Sequence, residues 1–175
     1  MLSALVHCRS QPEALIATLS ALVAGVAEGV IADAVVICER ANDDTAVIIE
    51  ATGAEFALLR PGADPWSTGA AMARREWLFC LEAGDVPLEG WISVTDHFAG
   101  TAAKENFPIG RLNRRARDWS EWFSDRFAGL DRRPRAGDVV HASHLLSDAS
   151  LASAARPRIQ RLPARIIRQP LRVAP

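Results

Sequence analysis

Polar and ionisable residues follow three apolar runs in the first half of the chain. They are His7, Cys8 and Arg9 after the first run, Glu39 after the second, and Glu82 and Asp85 after a later one. Carboxylate oxygens bind Mg²⁺ or Mn²⁺, and such an ion offsets the charge of a diphosphate. Glu82 and Asp85, three apart on a tight loop, therefore predict a metal-diphosphate site, where Glu39 could accept hydrogen bonds from a base or ribose. Carboxylates after strands are also common as solvated caps, and Asp85 could instead cap a helix over 88–98.

These residues are positioned by strands that alternate with helices. Short apolar runs predict four strands, over residues 2–8, 34–38, 55–59 and 77–81. Helix starts are indicated by a capping-box spacing at Ser10 and Glu13 and by N-caps at Asn42 and Asp64. The three helices are expected to end at Gly29, at Gly53 and near residue 75. Because each strand is apolar on both faces, the pattern predicts an α/β domain with a doubly wound, mostly parallel sheet and helices on both faces.

In an open parallel sheet, ligands bind outside the carboxyl ends of the strands, at the point where the strand order reverses. The polar residues after the first, second and fourth predicted strands lie at those ends. The sequence therefore predicts that one binding site is formed at this edge of the sheet.

The pattern becomes less regular after about residue 100. Four aromatic residues at helical spacing predict a helix whose aromatic face is more typical of core than of a sugar-stacking platform; they are Trp119, Trp122, Phe123 and Phe127. Residues 139–146 predict a strand that runs into a short helix. We expect one domain over residues 1–150 and a small C-terminal extension, an Arg- and Pro-rich tail, over residues 151–175.

Charge is distributed unevenly along the chain. The net charge is -1, which gives no general attraction to nucleic acid, and no nucleic-acid partner is expected. Six arginines and no acidic residue lie between residues 156 and 175. This segment could lie on an anionic membrane, pack against the domain or stay disordered. Because no secretory signal or membrane span is evident, the expected location is cytoplasmic, with peripheral contact at the inner membrane face as an option.

The three cysteines, Cys8, Cys38 and Cys80, lie in or at the ends of apolar runs. Their number and spacing give no disulfide framework, which is typical of a reducing cytoplasm. Since they fall near the ends of strands expected to be neighbours, a thiolate metal cluster that includes His7 is conceivable. Small buried cysteines are more common than such clusters, and they are the favoured interpretation.

Several segments over residues 2–98 resemble, in order and spacing, the family-two glycosyltransferases of the GT-A type. The segments are Ala-Val-Val-Ile-Cys-Glu-Arg-Ala-Asn-Asp-Asp-Thr (34–45), Gly-Ala (53–54), Ala-Met-Ala-Arg (71–74) and Trp-Leu-Phe-Cys-Leu-Glu-Ala-Gly-Asp (77–85). The resemblance implies a GT-A-like, Rossmann-related domain that binds a nucleotide-diphospho-sugar donor. It also implies a glycosyltransferase that moves the sugar to the hydroxyl of an unidentified acceptor, as in cell-envelope polysaccharide synthesis.

The resemblance assigns roles to individual residues. It places the nucleotide at Cys8, Arg9, Glu39 and Asp44, and the metal, Mg²⁺ or Mn²⁺, at Glu82 and Asp85. Where the family has Asp-x-Asp, this chain has Glu-Ala-Gly, with Gly84 in place of the second aspartate. A Gly-Asp segment that resembles the one before the family's acceptor-side strand makes Asp138 the candidate catalytic base. Gly84 and the missing late Glu-Asp pair favour an alternative, a catalytically silent GT-A-like domain that acts as a binding or scaffold module.

Overall fold

The computed structural model describes residues 1–9, 11–40, 42–105, 109–114, 133–146 and 158–169. Its strands are β1 (Leu2–Cys8), β2 (Ile31–Cys38), β3 (Glu55–Leu58), β4 (Trp77–Glu82), β5 (Asp85–Pro87), β6 (Ile109–Arg114), β7 (Asp138–His141) and β8 (Ile159–Arg168). Its helices are α1 (Pro12–Ala27), α2 (Asp43–Thr52), α3 (Pro65–Ala70), α4 (Trp91–Glu105) and α5 (Ser143–Leu146).

The eight strands form one mixed sheet in the order β3-β2-β1-β4-β7-β6-β8-β5. The four strands β3, β2, β1 and β4 are parallel, as their apolar sequences predict. In the other half, β7 is antiparallel to β4 and β6, whereas β8 is parallel to β6 and antiparallel to β5. The direction in which strands are added reverses between β1 and β4, which makes this the switch point of the sheet.

The core lies on both faces of the sheet. Successive residues of a strand point to opposite faces, so in β1 the side chains of Ala4 and Val6 pack on one face and Leu5 on the other. The first face is covered by α1, α2 and α4, which contribute Leu15, Ile49 and Phe98. The second face is covered by α3 through Trp66 and Ala70. The predicted doubly wound α/β fold is therefore confirmed.

Two helices start at the residues that the sequence indicates. The Asn42 side chain accepts a hydrogen bond from the Thr45 amide at 2.7 Å, and Asp64 does the same for Ser67 at 2.7 Å. Gly53 ends α2 in the left-handed conformation, with φ 68°, which glycine adopts without steric cost. These caps fix where the loops before α2 and α3 turn back toward the sheet.

The first helix does not start with the predicted capping box. Its N-cap is Gln11, whose side chain makes no capping hydrogen bond, and Pro12 occupies the first turn. Proline favours the first helical position and an extended residue before it, so Pro12 sets the helix start one residue later than predicted.

The third helix ends at Ala70, five residues earlier than predicted. The following backbone is bound by side chains of neighbouring strands, because Arg74 donates its amide to Asp33 at 3.2 Å and Arg75 donates its amide to Ser3 at 3.0 Å. Because these two amides bond to side chains, they make no helical hydrogen bonds, and the chain continues from here into β4.

Ten residues of the segment predicted as a tail form β8, between β6 and β5. Leu162, Ala164 and Ile166 are buried in the core beside exposed arginines. The register with β6 shifts after Leu162, so that Pro163 lies in a bulge where its missing amide breaks no ladder bond. This strand corresponds to the alternative in which the segment packs against the domain.

Two sequence predictions lie outside the described residues, and one further prediction is tested by them. The aromatic face at residues 119–127 and the domain boundary at residue 150 lie outside the described residues. The strand and short helix predicted over 139–146 are confirmed as β7 and α5. Within the described ranges, no helix has both the length and the apolar character needed to span a membrane.

Candidate functional site

A cleft of about 600 Å³ opens at the carboxyl ends of β1, β2 and β4, beside the switch point of the sheet. Open α/β sheets bind their ligands at this place. The loop over residues 59–66, which leads into α3, forms a further wall. The charged lining residues are Arg9, Glu39, Arg40, Arg60, Asp64, Glu82 and Arg135. Four arginines thus face three carboxylates, which favours an anionic ligand.

His7 lines the cleft although its side chain is almost fully buried. Its ring meets the indole of Trp66 edge to face, with ring centroids 6.1 Å apart. Burial lowers the pKa of His7, and Arg9 lowers it further, so the imidazole is neutral near pH 7. Within the part of the chain that the structure describes, its Nε2 atom has no hydrogen-bond partner.

Arg9 and Glu39 are brought together, as predicted. Glu39 Oε1 lies 4.0 Å from Arg9 Nε and 3.7 Å from His7 Nε2, and both charged side chains are exposed by more than half. The other two predicted nucleotide ligands are elsewhere. Cys8 is buried in the core on the α1 face, and Asp44 is exposed in the first turn of α2, outside the cleft lining.

The cysteines occupy two faces of the sheet. Cys8 and Cys38 are paired in register on neighbouring strands, and their hydrogen bond raises the pKa of the Cys38 thiol. Cys80 is buried on the opposite face, where burial raises the pKa of its thiol. Since all three are buried thiols and Cys80 faces away from the others, the favoured interpretation as small core residues agrees with this placement.

Glu82, predicted as a metal ligand, is surrounded by guanidinium groups. Its Oε2 lies 2.8 Å from Arg168 Nη1 and 3.8 Å from Arg114 Nη2, and its Oε1 lies 3.9 Å from Arg9 Nη2. The side chain is 21% exposed and reaches the cleft wall. Its carboxylate is therefore compensated by cations that the chain itself supplies.

Asp85, the second predicted metal ligand, is fully buried in β5. It accepts a hydrogen bond from the Glu82 amide at 2.8 Å and is paired with the Arg114 guanidinium. Burial raises the pKa of the Asp85 carboxyl, and Arg114 opposes that shift. This carboxylate closes the turn between β4 and β5 and does not cap a helix, since α4 begins only at Trp91.

The donor set at this turn does not fit a divalent cation. Gly84 has φ 96°, a conformation that an aspartate would adopt only with strain, so the turn excludes the family's second carboxylate. The carboxylates of Glu82 and Asp85 are both paired with arginine side chains. Among the described residues, no group of three or more histidine, cysteine, aspartate or glutamate side chains is placed to hold a metal ion.

Asp138, the candidate base, is fully buried at the start of β7. Its two oxygens accept hydrogen bonds from Arg111 at 2.8 and 2.7 Å, and one of them also accepts from the Arg135 amide at 3.1 Å. Burial raises the pKa of the Asp138 carboxyl, and Arg111 opposes the shift. The geometry makes Asp138 a residue that fixes the loop of Arg135 and Ala136 in the cleft wall.

The sequence analysis missed several residues of the site. Arg60 and Trp66 follow β3 and could have been found with the same strand-end rule that identified Arg9 and Glu39. Arg114 and Arg168 carry no local signal, because β6 and β8 bring them to Glu82 from 32 and 86 residues away in the sequence.

Solved structures of nucleotide-sugar enzymes have a similar fold. Glucosyl-3-phosphoglycerate synthase from Mycobacterium tuberculosis, in complex with phosphoglyceric acid, is 14% identical over 99% of this chain and 73% of that chain, with a TM-score of 0.62. The same enzyme in complex with Mn²⁺ and uridine-diphosphate-glucose is 13% identical over 99% and 72%, with a TM-score of 0.61. The chain has a GT-A-type fold.

Two further enzymes share the GT-A fold. Mannosyl-3-phosphoglycerate synthase from Rubrobacter xylanophilus is 13% identical over 99% of this chain and 68% of that chain, with a TM-score of 0.61. TarS 1-349 from S. aureus in complex with UDP-GlcNAc is 12% identical over 98% and 60%, with a TM-score of 0.59. No protein-family model and no curated protein matches the sequence. The GT-A fold expected from the sequence is confirmed.

Proposed function

We propose that the chain binds a nucleotide-diphospho-sugar in the cleft at the ends of β1, β2 and β4 and transfers the sugar to an acceptor hydroxyl. The observation that carries the proposal is a cleft at the switch point of a GT-A sheet in which four arginines face three carboxylates. Structures with this fold hold UDP-glucose and UDP-GlcNAc, which makes uridine nucleotides the first donors to test.

The size and charge of the cleft suit a nucleoside diphosphate. Its volume of about 600 Å³ falls in the range of roughly 300–1,000 Å³ typical of small-molecule sites. Arginine side chains bind phosphate oxygens through two parallel hydrogen bonds, which gives direction as well as charge. Arg9, Arg40 and Arg60 are exposed on the cleft walls and are the groups that meet the diphosphate.

Other lining residues suit a nucleoside. Glu39 is half exposed and accepts hydrogen bonds from ribose hydroxyls. His7 also lines the cleft, and its neutral ring lies beside Glu39, with Nε2 3.7 Å from Glu39 Oε1. Leu59 and Trp66 add apolar surface for the base.

In the transfer step, the acceptor oxygen forms a bond to the anomeric carbon. The bond from that carbon to the diphosphate oxygen breaks, the electron pair leaves with the diphosphate, and the hydroxyl proton passes to a base. The arginines of the cleft stabilise the charge that develops on the leaving diphosphate. Asp138 acts as a positioning residue, because its pairing with Arg111 holds the loop that carries Arg135.

Ligand-observed NMR tests the binding part of this proposal. Samples of the full chain receive UDP, UDP-glucose and UDP-GlcNAc, and the same experiment is run on Arg60→Gln and on Arg161→Gln. Arg60 lines the cleft, whereas Arg161 is an equally charged, exposed residue of β8 outside it. We expect the nucleotide signal for the wild type and Arg161→Gln and a weaker one for Arg60→Gln. Absence of nucleotide binding at millimolar concentration would overturn the proposal.

A second candidate function is a nucleotide-sugar-binding module without transfer. It is favoured by the burial of Asp138 behind Arg111, since the residue predicted as the base has no path to an acceptor. The two candidates differ in turnover. A transferase releases nucleoside diphosphate from its donor over many turnovers, whereas a module binds the donor and leaves it intact, and a coupled assay for UDP release separates them.

A further inference from the structure

Three carboxylates line the cleft, and Asp64 differs from the other two in its partners. Glu39 Oε1 lies 4.0 Å from Arg9 Nε, and Glu82 Oε2 lies 2.8 Å from Arg168 Nη1. Asp64 is exposed in the same cleft, and no cation among the described residues forms an ion pair with it. Its carboxylate therefore keeps acceptor capacity that a ligand in the cleft can use.

The Asp64 carboxylate is fixed in position by the start of α3. Its Oδ2 accepts a hydrogen bond from the Ser67 amide at 2.7 Å, whereas its Oδ1 accepts none from the described residues. The Asp64 carbonyl accepts hydrogen bonds from the Thr68 amide at 3.1 Å and from the Thr68 hydroxyl at 2.9 Å. Because a carboxylate offers about four acceptor positions, most of them stay open on a side chain that is already oriented.

The position of Asp64 in the cleft is the one proposed above for the base. Asp64 lies on the loop over residues 59–66, which also carries Leu59 and Trp66. Burial lowers the pKa of His7, and the negative charge of Asp64 is among those that oppose this shift, so the carboxylate lies close to the strand ends. A diphosphate is repelled by this carboxylate. The group that binds Asp64 is therefore an N–H or O–H donor.

Nucleobases differ in how well they fit a carboxylate, which accepts hydrogen bonds and donates none. Guanine presents N1–H and its N2 amino group side by side, so that both carboxylate oxygens accept a hydrogen bond. Uracil presents a single N–H between two carbonyl oxygens, which repel a carboxylate. Adenine and cytosine each place a ring-nitrogen acceptor beside the amino group. Guanine is therefore the base that matches Asp64.

We infer that Asp64 makes the cleft selective for guanine, so that the donor class is a guanosine-diphospho-sugar. The inference rests on the proposed function and names the base that this function leaves open. Asp64 accepts the N1–H and one N2–H of guanine, while the Ser67 amide continues to hold Oδ2. Uridine nucleotides occupy the same cleft with an affinity lower by about tenfold, the effect of one charge-assisted hydrogen bond.

The substitution Asp64→Asn changes the chemistry of this side chain and keeps the helix cap. Asparagine caps a helix as well as aspartate does, so the start of α3 is retained. The amide has one acceptor atom and one donor group, which mismatches the two donors of guanine and matches the N–H and neighbouring carbonyl of uracil. We expect the variant to lose its preference for guanine and to bind UDP at least as tightly as the wild type does.

Isothermal titration of the full chain provides the test. The probes are GDP, UDP and inosine diphosphate, which differs from GDP only in lacking the N2 amino group. Each is titrated into the wild type, Asp64→Asn and the control Asp43→Asn, which changes an exposed carboxylate of α2 outside the cleft lining. We expect the wild type and Asp43→Asn to bind GDP about tenfold more tightly than the other two probes. For Asp64→Asn we expect GDP to bind no more tightly than UDP, and circular dichroism confirms that each variant is folded.

The outcomes distinguish the inference from the proposed function. If the wild type binds GDP no more tightly than inosine diphosphate and UDP, the inference is overturned and the proposed function stands, with a hydroxyl as the partner of Asp64. A preference for GDP that persists in Asp64→Asn also overturns the inference. Binding of none of the three nucleotides at millimolar concentration overturns both. If Asp64→Asn does not fold, the ratio of the GDP and inosine diphosphate affinities of the wild type decides the matter.

Discussion

Asp85 and Asp138 were predicted as functional carboxylates, and the structure gives both of them structural roles. Each is fully buried, and each is paired with an arginine of β6, Arg114 and Arg111 respectively. The sequence identified Asp85 from its position after a predicted strand and Asp138 from the resemblance of its Gly-Asp segment. It could not identify their partners, because the pairing depends on β6 lying next to β7 and β8, which no local pattern encodes.

The buried pair of Arg111 and Asp138 gives a prediction for stability. Asp138→Asn removes the carboxylate that binds the buried Arg111 guanidinium through two hydrogen bonds, and breaking such a pair typically costs about 3–5 kcal/mol of the free energy of unfolding. Urea denaturation measures the difference. The control is Glu55→Gln, which removes an exposed pair with Arg74 and is expected to change stability little. Equal effects of the two substitutions would contradict the structural role of Asp138.

His7 gives a prediction for pH dependence. Its pKa in the folded chain is lowered from 6.5 by burial, so the folded state binds its proton less readily than the unfolded state does. Its contribution to stability is complete above about pH 6.5 and decreases as the pH falls below that value. His7→Gln removes this contribution. We therefore expect the wild type to lose more stability than the variant between about pH 7.5 and pH 5.5 in urea denaturation. A loss of the same size in both proteins would show that His7 is not buried as a neutral imidazole.

At the scale of elements, the first half of the chain was predictable because its signals are local. Strand β1, the caps Asn42 and Asp64, and the end of α2 at Gly53 all depend on residues within a few positions of each other. Errors occurred where distant side chains intervene, as at the end of α3, where Ser3 and Asp33 capture the backbone. Local rules therefore describe each element and miss the contacts between them.

Strand β8 is the element for which local rules were least informative. Buried and exposed residues alternate from Arg161 to Ile166, but the arginines and Pro163 on the exposed side make the segment look like a polar tail in the sequence. Charge and proline content are also typical of flexible tails, which explains the predicted extension. The buried face appears only when β6 and β5 are present on either side.

The place of β8 in the sheet gives a further prediction. Leu162→Ala removes a buried side chain of the core and should cost about 2–5 kcal/mol of the free energy of unfolding. Arg161→Gln, one position earlier on the exposed side, should leave it nearly unchanged. Urea denaturation of both variants decides the matter, since a segment outside the fold would tolerate both substitutions equally.

At the scale of the whole molecule, the position of the cleft was predictable from the sequence, and the pairing of the charges around it was not. The rule that ligands bind at the strand ends of a parallel sheet correctly brought Arg9, Glu39 and Glu82 together. The same rule cannot tell which charges compensate each other. That depends on β6 and β8, whose arginines occupy the carboxylates that the resemblance assigned to a metal.

The sheet therefore joins the parallel half that the sequence predicts to a mixed half, whose strands β6 and β8 contribute Arg114 and Arg168. In the proposed complex, a donor in the cleft would contact both halves, since the lining includes the ends of β1 and β2 as well as Arg135 before β7. Binding to the folded state alone also stabilises it, by about 2.7 kcal/mol at a ligand concentration a hundred times the Kd.

Hydrogen–deuterium exchange in the presence and absence of UDP-glucose tests the central claim, donor binding in the cleft, most directly. We predict slower amide exchange in the loop over residues 59–66 and at Glu39 and Arg40, with smaller changes in α2, which lies away from the cleft lining. No change at millimolar UDP-glucose, or protection confined to segments outside the cleft, would contradict the claim.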